Sequence, residues 1–183
     1  MEHSELIDHI RRGRVSAEEL SLVFDDDWNV AEDLRLRAVA AVMRTDPNSA
    51  RPYFSRINTD KLADAIEQNR ADPETIAVAV RAFPASARVL ETAVRCPRTP
   101  TKALVMAANK MTESQLGPLM RDESRLVLAP DLLKALTERE DLDATIHQRL
   151  KDLLKKVQED KQYQVRVGFR PEELSEEERR ILL

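Results

Sequence analysis

Three prolines at near-regular spacing constrain the fold of this chain more than any other feature of its sequence. They are Pro73, Pro100 and Pro130, at separations of 27 and 30 residues. Asp72 and Thr99 precede the first two. A side-chain oxygen at the N-cap accepts a hydrogen bond from a free backbone N–H, and proline at the first helical position lacks an N–H that would have no partner there. Each proline therefore predicts the start of a helix.

Apolar residues near each start have the spacing of an amphipathic helix. After the prolines they are Ile76, Ala77 and Val80, then Ala103, Leu104, Ala107, Ala108 and Met111, then Leu132, Leu133 and Leu136. The intervening segments carry Leu62, Ala63, Ala65 and Ile66, then Val89, Leu90, Ala93 and Val94, then Leu116, Leu119 and Met120. Apolar residues three and four apart lie on one helical face. Two short helices repeated at this period predict an all-α fold, a short α-α superhelix in which neighbouring pairs cover each other's apolar faces.

Residues 1–58 form an N-terminal helical region in which this pattern is less regular. Ser16 and Glu19 have the spacing of a capping box, which predicts the start of a helix. A second helix is predicted over residues 30–43, followed by a turn at residues 46–48. The sequence thus predicts a helical region that precedes the repeats.

The repeats are predicted over residues 59–160, ending in a long helix capped by Asp143. The tail, residues 161–183, alternates apolar and polar residues, which is strand periodicity. The apolar positions are Tyr163, Val165, Val167 and Phe169. We expect a C-terminal strand followed by a short helix. This tail either docks on the repeats or on a partner, or begins a further segment of a longer protein.

Over residues 59–157 the chain resembles HEAT-type repeat proteins, including the degenerate bacterial forms called leucine-rich-repeat variants. The resemblance depends on the helices that start at Pro73, Pro100 and Pro130 and on their apolar faces. It implies a curved α-solenoid that binds other proteins on its surface. The units are shorter than the usual HEAT repeat, and the first 58 residues match poorly.

The composition is that of packed helices and argues against several classes of site. Hydrophobic residues make up 42% of the chain and aromatic residues 4%. Three glycines cannot build a phosphate-binding or dinucleotide-binding loop. The single cysteine, Cys96, rules out an intrachain disulfide and any multi-cysteine metal site, and we predict that it is a small buried hydrophobe. We expect no cofactor.

The acidic run at residues 25–27 invites a calcium-loop interpretation, which fails on spacing. Counted from Asp25, the sixth loop position is Val30 and the twelfth is Leu36, where an EF-hand needs glycine and a bidentate glutamate. We expect these acids to interact with the positive end of the helix that follows Trp28. The three histidines have no metal-ligand spacing, so no metal site is predicted.

No basic-then-apolar leader and no apolar run of membrane-spanning length is present in the sequence. These features predict a cytoplasmic protein that does not insert into a membrane.

Charge is distributed unevenly along the chain. Residues 16–33 carry seven acids and no lysine or arginine, whereas residues 76–111 carry six basic residues and the single acid Glu91. The basic residues, here called the basic stripe, are Arg81, Arg88, Arg95, Arg98, Lys102 and Lys110. Such a stripe is either a solvated polar face or a surface for an acidic partner.

The leading hypothesis is a non-enzymatic adaptor that binds an acidic protein surface through the basic stripe, while the strand-like tail adds to an exposed sheet edge. Two alternatives stay open. A HEAT-like protein similar to DNA glycosylases would bind nucleic acid through the same stripe. An enzyme could assemble its site from residues of several repeats. The formal net charge of −4 and the few aromatic residues favour a protein partner over nucleic acid.

Overall fold

The chain is helical throughout the residues that the structure describes. The computed structural model describes the backbone of residues 1–166 and the side chains of residues 1–159. This part of the chain contains no β-strand. Its α-helices are α1 (His3–Arg11), α2 (Glu19–Val23), α3 (Glu32–Met43), α4 (Pro47–Phe54), α5 (Thr59–Glu67), α6 (Pro73–Ala82), α7 (Ala87–Arg95), α8 (Thr101–Ala108), α9 (Glu113–Arg121), α10 (Glu123–Leu128), α11 (Pro130–Thr137) and α12 (Ala144–Arg166). A single 3₁₀ turn, Asp26–Trp28, precedes α3.

Two of the three proline-marked helix starts are confirmed. Helix α6 begins at Pro73, and the Asp72 carboxylate accepts a hydrogen bond from the Thr75 N–H at 2.8 Å. Helix α11 begins at Pro130 without a side-chain cap, as expected for a preceding alanine. The local chemistry of these residues is sufficient to start both helices.

The third start is displaced by one residue. Pro100 is the N-cap of α8, and Thr101 is the first helical residue. The prediction that Thr99 caps this helix is wrong, because its buried hydroxyl donates to the Ala93 carbonyl at 2.6 Å. The Thr99 side chain therefore stabilises the loop after α7 and does not cap α8.

Two short helices lie where the sequence did not predict them. The predicted turn at residues 46–48 is the start of α4, where the Asp46 carboxylate accepts from the Ser49 N–H at 3.2 Å. Helix α10 begins after Asp122, which accepts from the Arg125 N–H at 3.1 Å. In both cases an aspartate cap starts a helix of eight residues or fewer, a length over which apolar periodicity is hard to recognise.

The last described helix is longer than predicted. Asp143 caps it as expected, accepting from the Thr145 N–H at 2.8 Å. Because α12 continues to Arg166, Tyr163 and Val165 are helical, and the predicted strand is wrong for these two positions. Extending an existing helix forms one backbone hydrogen bond for each residue that it orders, which two alternating apolar positions do not outweigh. Val167 and Phe169 lie outside the described residues.

Many helices contact a helix that lies two or three positions further along the chain, in addition to contacts between consecutive helices. Helix α3 contacts α5, α5 contacts α7 and α7 contacts α9, while α6 contacts α8, α8 contacts α11 and α11 contacts α12. Helix α1 packs on α3. Each short helix therefore contacts at least one other helix, which covers its apolar face.

One apolar cluster runs through all of these contacts, from Leu6 in α1 to Val157 in α12. The predicted apolar faces are confirmed in it: nearly all the apolar residues predicted for α5 to α9 and α11 are buried, and Ala77 and Met120 are partly buried. The first 58 residues share this cluster with the later helices.

A recurring contact joins helices that lie about thirty residues apart. In each case an arginine guanidinium donates to a backbone carbonyl at or just beyond the end of an earlier helix, and we call these the arginine–carbonyl contacts. They are Arg37 to Arg11, Arg56 to Phe24, Arg98 to Asn69, Arg125 to Val94 and Cys96, and Arg139 to Ala108. Carbonyls at a helix C-terminus lack a partner within the helix and carry partial negative charge, so a cation that donates to them is favourable.

The contact with two carbonyls gives a direct test of this arrangement. Arg125 lies 2.6 Å from the Val94 oxygen and 2.7 Å from the Cys96 oxygen, and burial lowers the pKa of its guanidinium. Replacing it by alanine leaves both acceptors without their charged donor. We expect Arg125→Ala to lower the free energy of unfolding in urea by about 2–4 kcal/mol. The exposed Arg121, which donates only to Gly117 of its own helix, is the control, and its alanine variant should stay within about 0.5 kcal/mol of wild type.

The predicted capping box before α2 is present. The Glu19 carboxylate accepts from the Ser16 N–H at 2.7 Å, and the Glu19 N–H donates to the Ser16 hydroxyl at 3.2 Å. The other carboxylate oxygen lies 2.7 Å from His9 Nδ1 in α1. Burial of Glu19 works to raise its pKa, but the hydrogen bonds from Ser16 and His9 together outweigh burial, so the pKa lies below its ordinary value.

A carboxylate with a lowered pKa in the folded state adds stability above the pKa of the unfolded chain, about 4.3, and this stability is lost as pH falls through the folded pKa. We expect Glu19→Gln to lower the free energy of unfolding by about 1 kcal/mol at neutral pH, because the amide oxygen can still accept from the Ser16 N–H but lacks the negative charge that strengthens this bond and the contact with His9. The difference from wild type should shrink on acidification to about pH 3. Urea denaturation across this range measures it, with the exposed Glu18→Gln as control. If the stability difference between wild type and Glu19→Gln does not vary with pH, the ionised Glu19 carboxylate is not the source of the stabilisation, and the prediction is wrong.

Candidate functional site

The basic stripe extends over three elements of the structure. Arg81 is in α6, Arg88 and Arg95 are in α7, and Lys102 is in α8. Arg98 and Lys110 lie in the segments that follow α7 and α8. All six side chains are exposed. They divide into two groups according to whether the protein itself already binds them.

Three members of the stripe are already bonded within the protein. Arg88 forms ion pairs with Asp64 and, at 3.5 Å, with Asp60, both on the neighbouring α5. Arg98 and Arg81 each donate to a backbone carbonyl, at 2.9 and 3.3 Å. The ion pairs of Arg88 reduce the positive charge that the stripe offers to a partner, whereas the carbonyl contacts of Arg81 and Arg98 occupy N–H donors without neutralising the guanidiniums.

The other three members have no such contact. Arg95, Lys102 and Lys110 form no ion pair and no side-chain hydrogen bond with any residue of the described part of the chain. A solvated cation without an internal carboxylate can pair with an external one without first breaking a bond. Any acidic partner of the stripe would therefore meet these three side chains most readily.

A surface groove lies between α5 and α7, with a volume of about 630 Å³. Of the stripe, only Arg88 and Arg95 line it. Arg98 reaches its edge by donating to the carbonyl of Asn69, a lining residue, whereas Arg81, Lys102 and Lys110 do not line it. The apolar lining comes from Ile66, Ala87, Cys96 and Pro97. We call this the α5–α7 groove.

The α5–α7 groove is mixed in charge rather than uniformly basic. Glu67 and Glu91 line it together with the two arginines. The Glu91 carboxylate accepts a hydrogen bond from the Gln115 side chain in α9, at 3.0 Å. The Glu91 carboxylate therefore bonds to α9, and Arg95 forms no ion pair with any carboxylate of the described residues.

Cys96 is a buried thiol, as the sequence predicted. Its side chain is 6% exposed, and Sγ lies 3.9 Å from Asn69 Oδ1 in the segment after α5. Cys96 lines the α5–α7 groove at the C-terminal end of α7.

Most aromatic side chains lie outside the segment that carries the stripe, and several contact each other in the N-terminal region. Phe24 and Tyr53 have ring centroids 4.9 Å apart, and the Arg56 guanidinium lies 5.1 and 5.4 Å from these two centroids. Trp28 stacks on His3 with centroids 5.9 Å apart. Phe83 lies two residues after Arg81, but it is partly buried and packs edge-on against Phe54 with ring centroids 6.3 Å apart, so it is not a fully exposed platform for base stacking.

The acidic run has a different role from the one expected. Asp25 accepts from the Asp27 N–H at 3.0 Å and thereby caps the 3₁₀ turn, whereas α3 starts four residues after Trp28. The expectation that the run favours the start of α3 is therefore corrected for Asp25. Within residues 1–159, no group of three or more His, Cys, Asp or Glu side chains is placed to hold a metal ion.

Sequence reasoning missed a second group of cations, formed by Arg12, Arg37 and Arg44 around a small pocket. Arg37 and Arg44 are seven residues apart in and just after α3, which places them on one helical side and could have marked them as a pair. Arg12 follows α1, and only the packing of α1 on α3 brings it to them.

Comparison with protein-family models, with curated proteins and with solved structures gave no match to this chain. Among the helices of residues 1–166, none combines the length and the apolar character needed to cross a bilayer.

Proposed function

We propose that the protein is a non-enzymatic adaptor, a short α-solenoid that binds an acidic segment of a partner protein at the α5–α7 groove and the unpaired part of the basic stripe. The resemblance to HEAT-type repeats implies such a role, and the described contacts support it in three steps.

The solenoid arrangement is supported by the way in which the helices follow one another. Helix α3 contacts α5, α5 contacts α7 and α7 contacts α9, while α6 contacts α8 and α8 contacts α11, so contacts pass from one helix to another a short way further along the described chain. The arginine–carbonyl contacts add a second regularity, since they join residues 26 to 32 positions apart, close to the spacing of the proline-marked starts. A stack of helix pairs offers an extended surface to a partner.

Arg95 is the single observation that carries the choice of an acidic partner. Its exposed side chain lines the groove, yet no carboxylate of the described residues forms an ion pair with it. Arg98 stands at the edge of the same groove, three residues further along. Carboxylates of the partner would pair with these guanidiniums and set its register.

The test reverses the charge of the three unpaired cations. A triple variant, Arg95→Glu, Lys102→Glu and Lys110→Glu, should lose those binding partners whose contact region is acidic. The measurement is affinity capture from the native cell with quantitative mass spectrometry, followed by titration of the purified partner. We expect at least a tenfold loss of affinity, since several cations are reversed at once.

The matched control changes the net charge equally at exposed sites outside the stripe, with Arg14→Glu, Arg51→Glu and Lys151→Glu. It should keep the partners that the stripe variant loses. Unchanged partners in the stripe variant, or equal losses in both, would refute the proposal. So would retention on DNA that weakens steeply with salt and depends on the stripe, which is the behaviour expected of a nucleic-acid-binding protein.

A further inference from the structure

A second pocket lies at the other end of the described chain, between the end of α1, the end of α3 and the start of α6. Its volume is about 110 Å³. A water molecule takes up about 30 Å³ of liquid, so the space corresponds to roughly three or four waters. The polar lining comes from Arg12, Arg37, Arg44, Glu74 and Thr75. The pocket is therefore small, and three guanidiniums surround it.

Each of these arginines pairs with a carboxylate, and one of them also donates to a backbone carbonyl. Arg12 pairs with Asp8 at 3.1 Å, and Arg44 pairs with Glu74 at 3.3 Å. Arg37 pairs with Asp72, the N-cap of α6, and also donates to the Arg11 carbonyl. Each guanidinium carries five N–H donors, and these contacts use only one or two of them. Each of the three lining arginines consequently keeps N–H donors that no described residue uses.

Two further features of the wall favour an anion. Thr75 is 4% exposed, lines the pocket, and its hydroxyl forms no hydrogen bond to any described residue. It lies in the first turn of α6, a ten-residue helix whose N-terminus carries partial positive charge.

A glycine lets one arginine approach the backbone at this wall. Gly13 has a φ of +64°, and a Cβ at that position would lie 3.1 Å from Arg44 Nη2. A side chain there would be strained and would push the guanidinium away. Glycine at position 13 thus adopts the left-handed backbone conformation without strain and leaves space for the Arg44 guanidinium.

We propose that this pocket binds a phosphate group, as inorganic phosphate or as the end of a small phosphate monoester. Glu74 is the one acid among the lining residues, and Asp8 and Asp72 pair with Arg12 and Arg37 from outside the lining, so a phosphate would be bound by the unused N–H donors rather than by an excess of positive charge. A tetrahedral oxyanion presents acceptors in several directions and so matches the unused donors of three arginines, whereas a planar carboxylate would engage one guanidinium fork.

Glu74 is the one lining carboxylate and competes with the ligand for Arg44. Removing its charge should therefore tighten binding, while removing an arginine or the Thr75 hydroxyl should weaken it. Substitutions at the adjacent residues Glu74 and Thr75 should therefore change the affinity in opposite directions. General attraction of anions to a basic surface would not produce this difference.

The experiment is isothermal titration calorimetry of the full chain with sodium phosphate at pH 7.5, at an ionic strength held constant with sodium chloride. We expect saturable one-to-one binding with a dissociation constant of about 1 mM or below. Phenyl phosphate, a monoester, is the second probe. Tighter binding of the ester identifies the ligand as an esterified phosphate, and tighter binding of the free ion identifies it as inorganic phosphate; either result supports the site.

Arg44→Gln and Arg12→Gln should each weaken phosphate binding about tenfold, Thr75→Val should weaken it a few-fold, and Glu74→Gln should strengthen it. Arg51→Gln, which changes an exposed arginine outside the pocket, is the control and should bind as wild type does. The far-ultraviolet circular dichroism of every variant should match that of wild type. The proposal is overturned if wild type shows no saturable binding, if the control is weakened equally, or if Glu74→Gln weakens binding.

Discussion

The stability of this fold depends on contact between neighbouring helices, because the helices are too short to persist alone. From α1 to α11 none exceeds the twelve residues of α3, and isolated helices shorter than about 12–15 residues are marginal in water. Each can persist only where another helix covers its apolar face. The core cluster from Leu6 to Val157 meets this requirement along the described chain. Both proposed binding surfaces lie between helices that this packing brings together.

Arginine connects the stability of the protein with its proposed binding surfaces. Five arginines bind carbonyls at helix ends, where a cation is favoured and a backbone acceptor would otherwise lack a partner. Arg98 does so within the basic stripe, and Arg88 pairs with α5. Exposed ion pairs such as those of Arg88 add little stability, yet they reduce the charge available to a partner. Counting basic residues in the sequence therefore overestimates the charge of the stripe, and Arg95 matters because it remains unpaired.

The sequence predicted those features that depend on local chemistry. The caps at Asp72 and Asp143, the proline starts of α6 and α11 and the buried repeat faces all follow from residues close together in the chain. The start of α8 was misplaced because the Thr99 hydroxyl has a competing acceptor six residues earlier, which no local rule reveals.

The candidate sites were less predictable, because both depend on which helices become neighbours. The stripe was visible as a run of charge, but the pairing of Arg88 with α5 needed the packing of α7. The proposed phosphate pocket depends on the packing of α1 on α3, which places Arg12 beside Arg37 and Arg44. Periodicity identifies the apolar face of each helix, but it does not identify the polar side chains that meet when those faces pack.

The dependence of each helix on its neighbours can be tested most directly by comparing two probes of urea unfolding in one experiment. The single tryptophan, Trp28, reports on the N-terminal region, whereas circular dichroism at 222 nm reports on all helices together. Because one continuous core joins the N-terminal helices to the later ones, we predict that the two transitions superimpose with the same midpoint. A fluorescence transition clearly separated from the loss of helix would show that the N-terminal region unfolds on its own, and would contradict this account.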